Sequence, residues 1–146
     1  MTTDCFNLRR FLEAQAGAYP VALSELQCGR KRSHWIWYIF PQLKHLGFSY
    51  NSKFYGISGL DEARAYLSHP VLGERLRRVS SVLLGLSGSN AREVLGGDDI
   101  KLRSSMTLFD VAAPNDVFAR VLEKYFHGQR DAETFRILSS QGMCRE

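Results

Sequence analysis

Apolar residues at helical spacing constrain this chain more than any other feature. Leu72, Leu76, Val79, Leu83 and Leu86 step by four and three residues, which places them on one stripe of an α-helix, opposite Glu74, Arg77, Arg78 and Ser81. The period recurs along the chain between helix start and stop residues. Asn7 caps a first helix carrying Leu8, Phe11 and Leu12 and ended by Gly17; Pro20 starts a second, with Val21, Leu23, Leu26 and Cys28, stopped at Gly29. Ser58 to Asp61 reads as a capping box opening a helix through Ala63 to Leu67, and Pro70 begins the Leu72 helix. Asn90 caps a short helix ended by Gly96 and Gly97, and Asp98 or Asp99 opens one with Leu102, Met106 and Phe109 inward, ending before Pro114. Asn115 caps a helix carrying Phe118, Val121, Leu122 and Tyr125, closed by Gly128, and a last short helix covers Ala132 to Leu138, followed by a frayed tail from Gln141. Leu43 to Gly59 reads as irregular. The apolar run Trp35 to Phe40 fits either a short helix after Ser33 or a buried strand. With no hairpin and no βαβ alternation, the expectation is an all-α fold: a compact single-domain bundle of about seven to eight helices over residues 1–146.

Composition removes several function classes. In 146 residues, 45% hydrophobic and 23% charged, the chain has the make-up of a core-forming protein rather than a disordered one. No run approaches the roughly 20 apolar residues of a membrane span, and Met1 to Asp4 shows no leader pattern. Cys5, Cys28 and Cys144 are scattered and odd in number, as free thiols in a reducing compartment would be. A cytoplasmic protein with no membrane partner is therefore expected. Cysteines and histidines never fall at zinc-ligand spacing, no P-loop or nucleophile elbow is present, and no metal or cofactor is implied. The acids of Gly96-Gly97-Asp98-Asp99 would repel a phosphate from the helix that follows and suit its dipole instead.

The charge is modest, 19 Lys and Arg against 15 Asp and Glu for a net +4, but unevenly placed. Between Glu25 and Asp61 there is no acidic residue, while Arg30, Lys31, Arg32, Lys44, Lys53, His34 and His45 are interleaved with 8 of the 17 aromatics. Positive charge among stacking rings suits a phosphate-bearing, ring-bearing ligand; the alternative is that the rings are core and the charges a solvated rim. Two segments stand out. In residues 30–42, Arg30 and Lys31 offer donors to phosphate, His34 offers an imidazole for acid or base work, and Trp35 and Trp37 offer indole faces, although side chains two residues apart cannot share one helix face. In residues 99–106, Lys101 shares a helical face with Ser105, with Ser104 beside it, a set that can hold an anion or a ribose; alternatively Lys101 pairs with Asp98 and the serines allow close helix approach. With Gln42 closing the first segment and Tyr55 further along, the candidate ligand-binding set is Arg30, Lys31, His34, Trp35, Trp37, Gln42, Tyr55, Lys101, Ser104 and Ser105. No catalytic residue is assigned.

The stretches Phe11 to Gln15, Gly29 to Gln42, Tyr55 to Ile57, Ala63 to Gly73 and Lys101 to Phe109 resemble an uncharacterised bacterial domain-of-unknown-function family whose members are often labelled "calpastatin". The resemblance implies a compact α-helical domain and no established activity; the inhibitor of that name is a disordered repeat protein, unlike this repeat-free chain. A fainter pattern is similar to the YbiA-like N-glycosidase superfamily: Ser33-His34-Trp35, Ser68-His69-Pro70, Lys101 to Met106 and Lys124-Tyr125-Phe126. That superfamily carries a glutamate in its first motif, and none stands at this one. The likeness implies binding or hydrolysis of a nucleotide or ADP-ribose-like N-glycoside, for which Asp98 or Asp99 would have to bring a carboxylate to the aromatic segment. Single-stranded nucleic-acid binding, or protein interaction through the basic aromatic segment 30–42, is the alternative.

Overall fold

The structure, a computed structural model, describes residues 4–142. Its α-helices are α1 Arg9–Gln27, α2 Ile36–Ile39, α3 Tyr50–Phe54, α4 Leu60–Ser68, α5 Leu72–Gly85, α6 Ala91–Leu95, α7 Asp99–Ala112, α8 Val117–Phe126 and α9 Ala132–Ser140, with 3-10 turns at Lys44–Leu46 and Gly96–Asp98. The protein is all-α, and no strand occurs among the described residues. The organising element is α7. Leu102 and every residue from Ser104 to Asp110 are buried, as in a helix enclosed on most sides, and α4, α6, α8 and α9 surround it. The α5 stripe of Leu72, Leu76, Val79 and Leu83 packs against α1, α4 and α8. Met143 to Glu146, including Cys144, lie outside the described residues; Cys5 and Cys28 are free and exposed. No helix among the described residues is long and apolar enough to cross a membrane.

Several boundaries differ from the sequence reading, each for a local reason. The first two helices are one: α1 runs through Gly17 and Pro20. Both face solvent, where water can take the place of the donor that proline lacks, and inward-facing Phe11, Gln15, Ala22 and Leu26 hold the helix on both sides of it. Asn7 sits at φ 55 and does not cap; Asp4 does, accepting from the Leu8 and Arg9 N–H groups at 2.6 and 3.0 Å. Asn115 is likewise left-handed, and Asp116 caps α8. Before α4 the capping interaction involves Glu62 rather than Asp61, with the Ser58 N–H and hydroxyl both donating to its Oε1. Gln141 is tied down, its amide donating to the Ser58 carbonyl at 3.0 Å. The run Trp35 to Phe40 forms the single turn α2, and Gln15 fixes it by donating to the Tyr38 carbonyl and the Tyr66 hydroxyl while accepting from Arg75.

Residues 43–57 form a closed loop. The Lys44 N–H donates to the Ile57 carbonyl and the Ile57 N–H to the Gln42 carbonyl, both at 2.8 Å, so the loop begins and ends at one point. Arg10 holds it from beneath. Its guanidinium donates to the Phe54, Phe6, Asn7 and Gly56 carbonyls and, at 2.7 Å, to the Glu62 carboxylate. All five donors of the side chain are thus satisfied in a site where Arg10 is 8% and Glu62 4% exposed. Lysine can make only three such bonds from a single point. Arg10→Lys is therefore expected to destabilise the protein by about 2–4 kcal/mol, through stranded carbonyls and a poorly compensated Glu62. Urea unfolding of the variant checks this; a loss below about 1 kcal/mol would contradict the assignment.

Candidate functional site

The closed loop, α2, α7 and the start of α9 enclose a cavity of about 320 Å³, within the range of small-ligand sites. Its walls carry Trp37 and Gln42 from α2 and its exit, Asn51, Ser52 and Tyr55 from the loop, Ile100, Lys101 and Ser104 from α7, and Asp131 and Glu133 from the α9 start, with Leu43 and Leu46 as apolar floor. Close approach of Gly47 to Ser52 shapes the loop: a Cβ at Gly47 would lie 2.7 Å from the Ser52 Oγ. Gln42 Nε2 is buried and has no hydrogen-bond partner among the described residues. Ser104 is less open to a ligand, because its hydroxyl donates to the Ile100 carbonyl at 3.2 Å.

Five of the ten candidate residues line this cavity: Trp37, Gln42, Tyr55, Lys101 and Ser104. The other five do not. Trp35 is 1% exposed and belongs to the core. Arg30 and His34 are exposed away from the cavity. Lys31 is 8% exposed and pairs with Asp98 at 3.0 Å, its Nζ 5.1 Å from the Trp35 ring centroid. Ser105 is fully buried, its hydroxyl without a partner among the described residues. The cavity touches the face of α7 defined by positions 100, 101 and 104, and position 105 turns past it into the core. Asn51, Ser52, Asp131 and Glu133 line the cavity without belonging to the candidate set. Asp131 had a local signal, since its Oδ2 caps α9 by accepting from the Thr134 N–H and hydroxyl, but nothing local places α9 against the loop.

Two carboxylates organise the basic segments. Asp98 lies between them, accepting from Lys31 on one oxygen and from Lys101 at 2.9 Å on the other. Lys101 in turn stands 5.0 Å from the Trp37 ring centroid. Burial acts to raise the Asp98 pKa, but the Lys101 and Lys31 hydrogen bonds outweigh it and hold the carboxyl below its ordinary range. A carboxylate does therefore reach the aromatic segment, as an ion-pair bridge outside the cavity wall.

The second is Glu25, at the C-terminal end of α1. Its Oε1 accepts from the Arg32 and Ser33 N–H groups and the Trp35 indole, and its Oε2 from the Ser33 hydroxyl. An acid seven residues before Arg32 thus folds back onto Ser33 and Trp35, where the sequence shows no neighbouring acid. Burial opposes ionisation, yet the bonds from Ser33, Arg32 and Trp35 bring its pKa down to about 2. The other motif pieces have structural partners as well. His69 Nδ1 accepts from the Val71 and Leu72 N–H groups, and Lys124 donates to the Leu83, Leu84 and Leu86 carbonyls at the end of α5.

Because the Glu25 pKa falls on folding, from an ordinary 4.5 to about 2, its contribution is complete above pH 4.5 and is lost as pH falls toward 2. Glu25→Gln should destabilise the protein at pH 7 by about 1.5–3 kcal/mol and flatten the decline in stability across that acid window. Denaturant unfolding of both proteins at several pH values reads this directly; parallel pH profiles would contradict it. The two tryptophans give a second check. Trp35 is enclosed and Trp37 borders the cavity, so Trp37→Phe should remove most acrylamide-quenchable fluorescence while leaving a folded, blue-shifted emission.

Comparisons with known proteins agree with this architecture and assign no chemistry. The crystal structure of the conserved hypothetical protein Rv1873 from Mycobacterium tuberculosis superposes with a TM-score of 0.91 at 46% identity, covering 93% of this chain and 99% of that one. No curated protein matches the chain at a significant level. Neither the calpastatin label nor the N-glycosidase superfamily appears in these likenesses. Residues 5–138 match a family described as "Protein of unknown function (DUF1810)", and with nearly the whole chain matched, the protein belongs to that family.

Proposed function

We propose that the cavity binds a nucleoside-like N-glycoside. The observation that carries this reading is Gln42 Nε2, a buried donor without a partner on a wall shared with two aromatic side chains, Trp37 and Tyr55. A buried unpaired amide is costly unless a ligand completes it, and a planar heterocycle supplies both an acceptor edge and a face for the rings. Asn51 and Lys101 give further polar contacts suited to sugar hydroxyls, while the Ser52 hydroxyl already donates to the Ser49 carbonyl at 2.9 Å. Charge argues for a compact ligand. Lys101 is already paired with Asp98, and the lining also carries the acids Asp131 and Glu133, the latter paired with Arg136. A nucleoside fits that balance better than the pyrophosphate of ADP-ribose, because Arg30 and Lys31 lie elsewhere.

Asp131 favours a hydrolytic form of the same reading, since a carboxylate beside the sugar stabilises an oxocarbenium-like centre. In that reaction water adds to the anomeric carbon as the bond to the base nitrogen breaks, and the base leaves protonated. Asparagine is as good a helix cap as aspartate, so Asp131→Asn tests the charge with α9 kept in place.

Nucleosides, and ADP-ribose for comparison, should quench Trp37 saturably and raise the unfolding midpoint; at 100 times the dissociation constant the gain is about 2.7 kcal/mol. Gln42→Leu should separate binding from stability. It removes a stranded amide, so the ligand-free protein should be as stable as the parent or more so, by up to about 1 kcal/mol, while nucleoside affinity falls about tenfold. No shift with any nucleoside would sink the binding reading. Release of free base by the parent but not by Asp131→Asn would establish the hydrolytic form.

A further inference from the structure

The cavity is only half of a larger feature. The loop that forms one wall presents its other side to solvent, and that side is basic and aromatic. Phe48 is 91% exposed, Tyr50 74% and Phe54 39%, an unusual concentration of rings in water. Tyr50 and Phe54 stack in parallel, with centroids 5.5 Å apart and planes 8° apart, and Phe54 meets Tyr55 edge-on at 4.8 Å. A continuous run of rings thus leads from the exposed helix α3 to Tyr55 in the cavity wall. Lys44, Lys53 and Phe54 border one shallow recess on the outer side. Both lysines are exposed, and neither has a carboxylate partner among the described residues, in contrast to Lys31 and Lys101. The surface therefore has unneutralised positive charge immediately outside a cavity whose own cation is neutralised.

From this arrangement we infer that the cavity takes its base from a single-stranded polynucleotide. The flanking phosphates lie on Lys44 and Lys53, and the neighbouring base stacks on Tyr50 and Phe54. The inference rests on the nucleoside reading above and extends it from a free molecule to a strand. Stacking rings beside a positive track are the general means of holding single strands without base-pair readout. A base turned out of the stack into a cavity can present its edge to the Gln42 and Asn51 amides. An anionic lipid surface would also meet lysines and exposed rings. It would have no use for the cavity's unpaired amide, and the strand accounts for both halves of the feature.

The test compares three probes by Trp37 fluorescence and by direct binding: a free nucleoside, a mixed-sequence hexanucleotide as RNA and as DNA, and vesicles containing phosphatidylserine. The hexanucleotide is expected to bind at least tenfold more tightly than the nucleoside. With two phosphates neutralised, its affinity should fall about sevenfold between 50 and 200 mM salt. Exchanging both lysines, Lys44→Ala with Lys53→Ala, should weaken the strand about tenfold and leave the nucleoside titration unchanged, as should Tyr50→Ala alone. The preserved nucleoside titration also shows that these surface variants fold. A nucleoside that saturates while the strand binds no more tightly overturns the inference and leaves the nucleoside reading standing. A strand that binds without perturbing Trp37 overturns the placement of a base in the cavity. Vesicle binding lost in the lysine variant, with no strand binding, assigns the surface to lipid. If neither nucleoside nor strand binds, both readings fall together.

Discussion

The Arg10 guanidinium is the interaction on which the site depends. Residues 43–57 include a single 3-10 turn and the short helix α3, neither long enough to be stable alone. Such a loop keeps one shape only where its backbone groups are bonded to something rigid. Arg10 stands on α1, reaches the Phe54 and Gly56 carbonyls, and rests its charge on Glu62 of α4. The helices α1 and α4 and the loop therefore share one planar donor set. Gly56 belongs to the same joint: it is buried, and a Cβ there would lie 2.3 Å from Lys44 Cα. The loop is held at its two ends and from below, which leaves its flanks for a cavity on one side and open rings on the other.

Charge placement sets the basic stretch at residues 30–32 apart from the cavity. Net charge counts every lysine alike, whereas folding pairs some and leaves others. Lys31 and Lys101 share Asp98, and Arg10 has Glu62. Glu25 gathers the backbone of residues 32 and 33 and the Trp35 indole, turning the start of the basic segment into a fixed corner between α1 and α2. On the loop, Lys44 and Lys53 have no carboxylate partner among the described residues. Within the Arg-Lys-Arg cluster only Lys31 is paired among the described residues; Arg30 and Arg32 stay exposed but do not line the cavity, whereas Lys44 and Lys53 lie on the loop that forms its wall.

The helices were legible because their signals are local. The α5 stripe, the Asn90 cap on α6 and the inward face of α8 all follow from residues within one or two turns. Two departures have other causes: at the start of α1 two neighbouring residues of capping type compete and Asp4 rather than Asn7 makes the bond, and burial on both sides of Pro20 carries α1 through it. The site shows the same division. Trp37, Gln42, Tyr55, Lys101 and Ser104 could be marked by residue type and context, while Asn51, Asp131 and Glu133 could not. Asn51 is brought in by the closure of its own loop, and Asp131 and Glu133 by α9 docking against the turn at Lys44–Leu46, segments some 90 residues apart in sequence.

Trp35 and Trp37 illustrate how the fold resolves an ambiguity that composition leaves open. Equal in type and two positions apart, they leave the single turn of α2 on different sides. Trp35 enters the core, where its indole N–H needs a partner and finds Glu25. Trp37 is left at the cavity rim, beside an ammonium whose charge is already balanced. The assignment could not be reversed cheaply: a Trp37 indole in the core would have no carboxylate to bond, and Glu25 would lose one of its donors. The same Glu25 bond that anchors one tryptophan thereby commits the other to the surface on which a ligand could act.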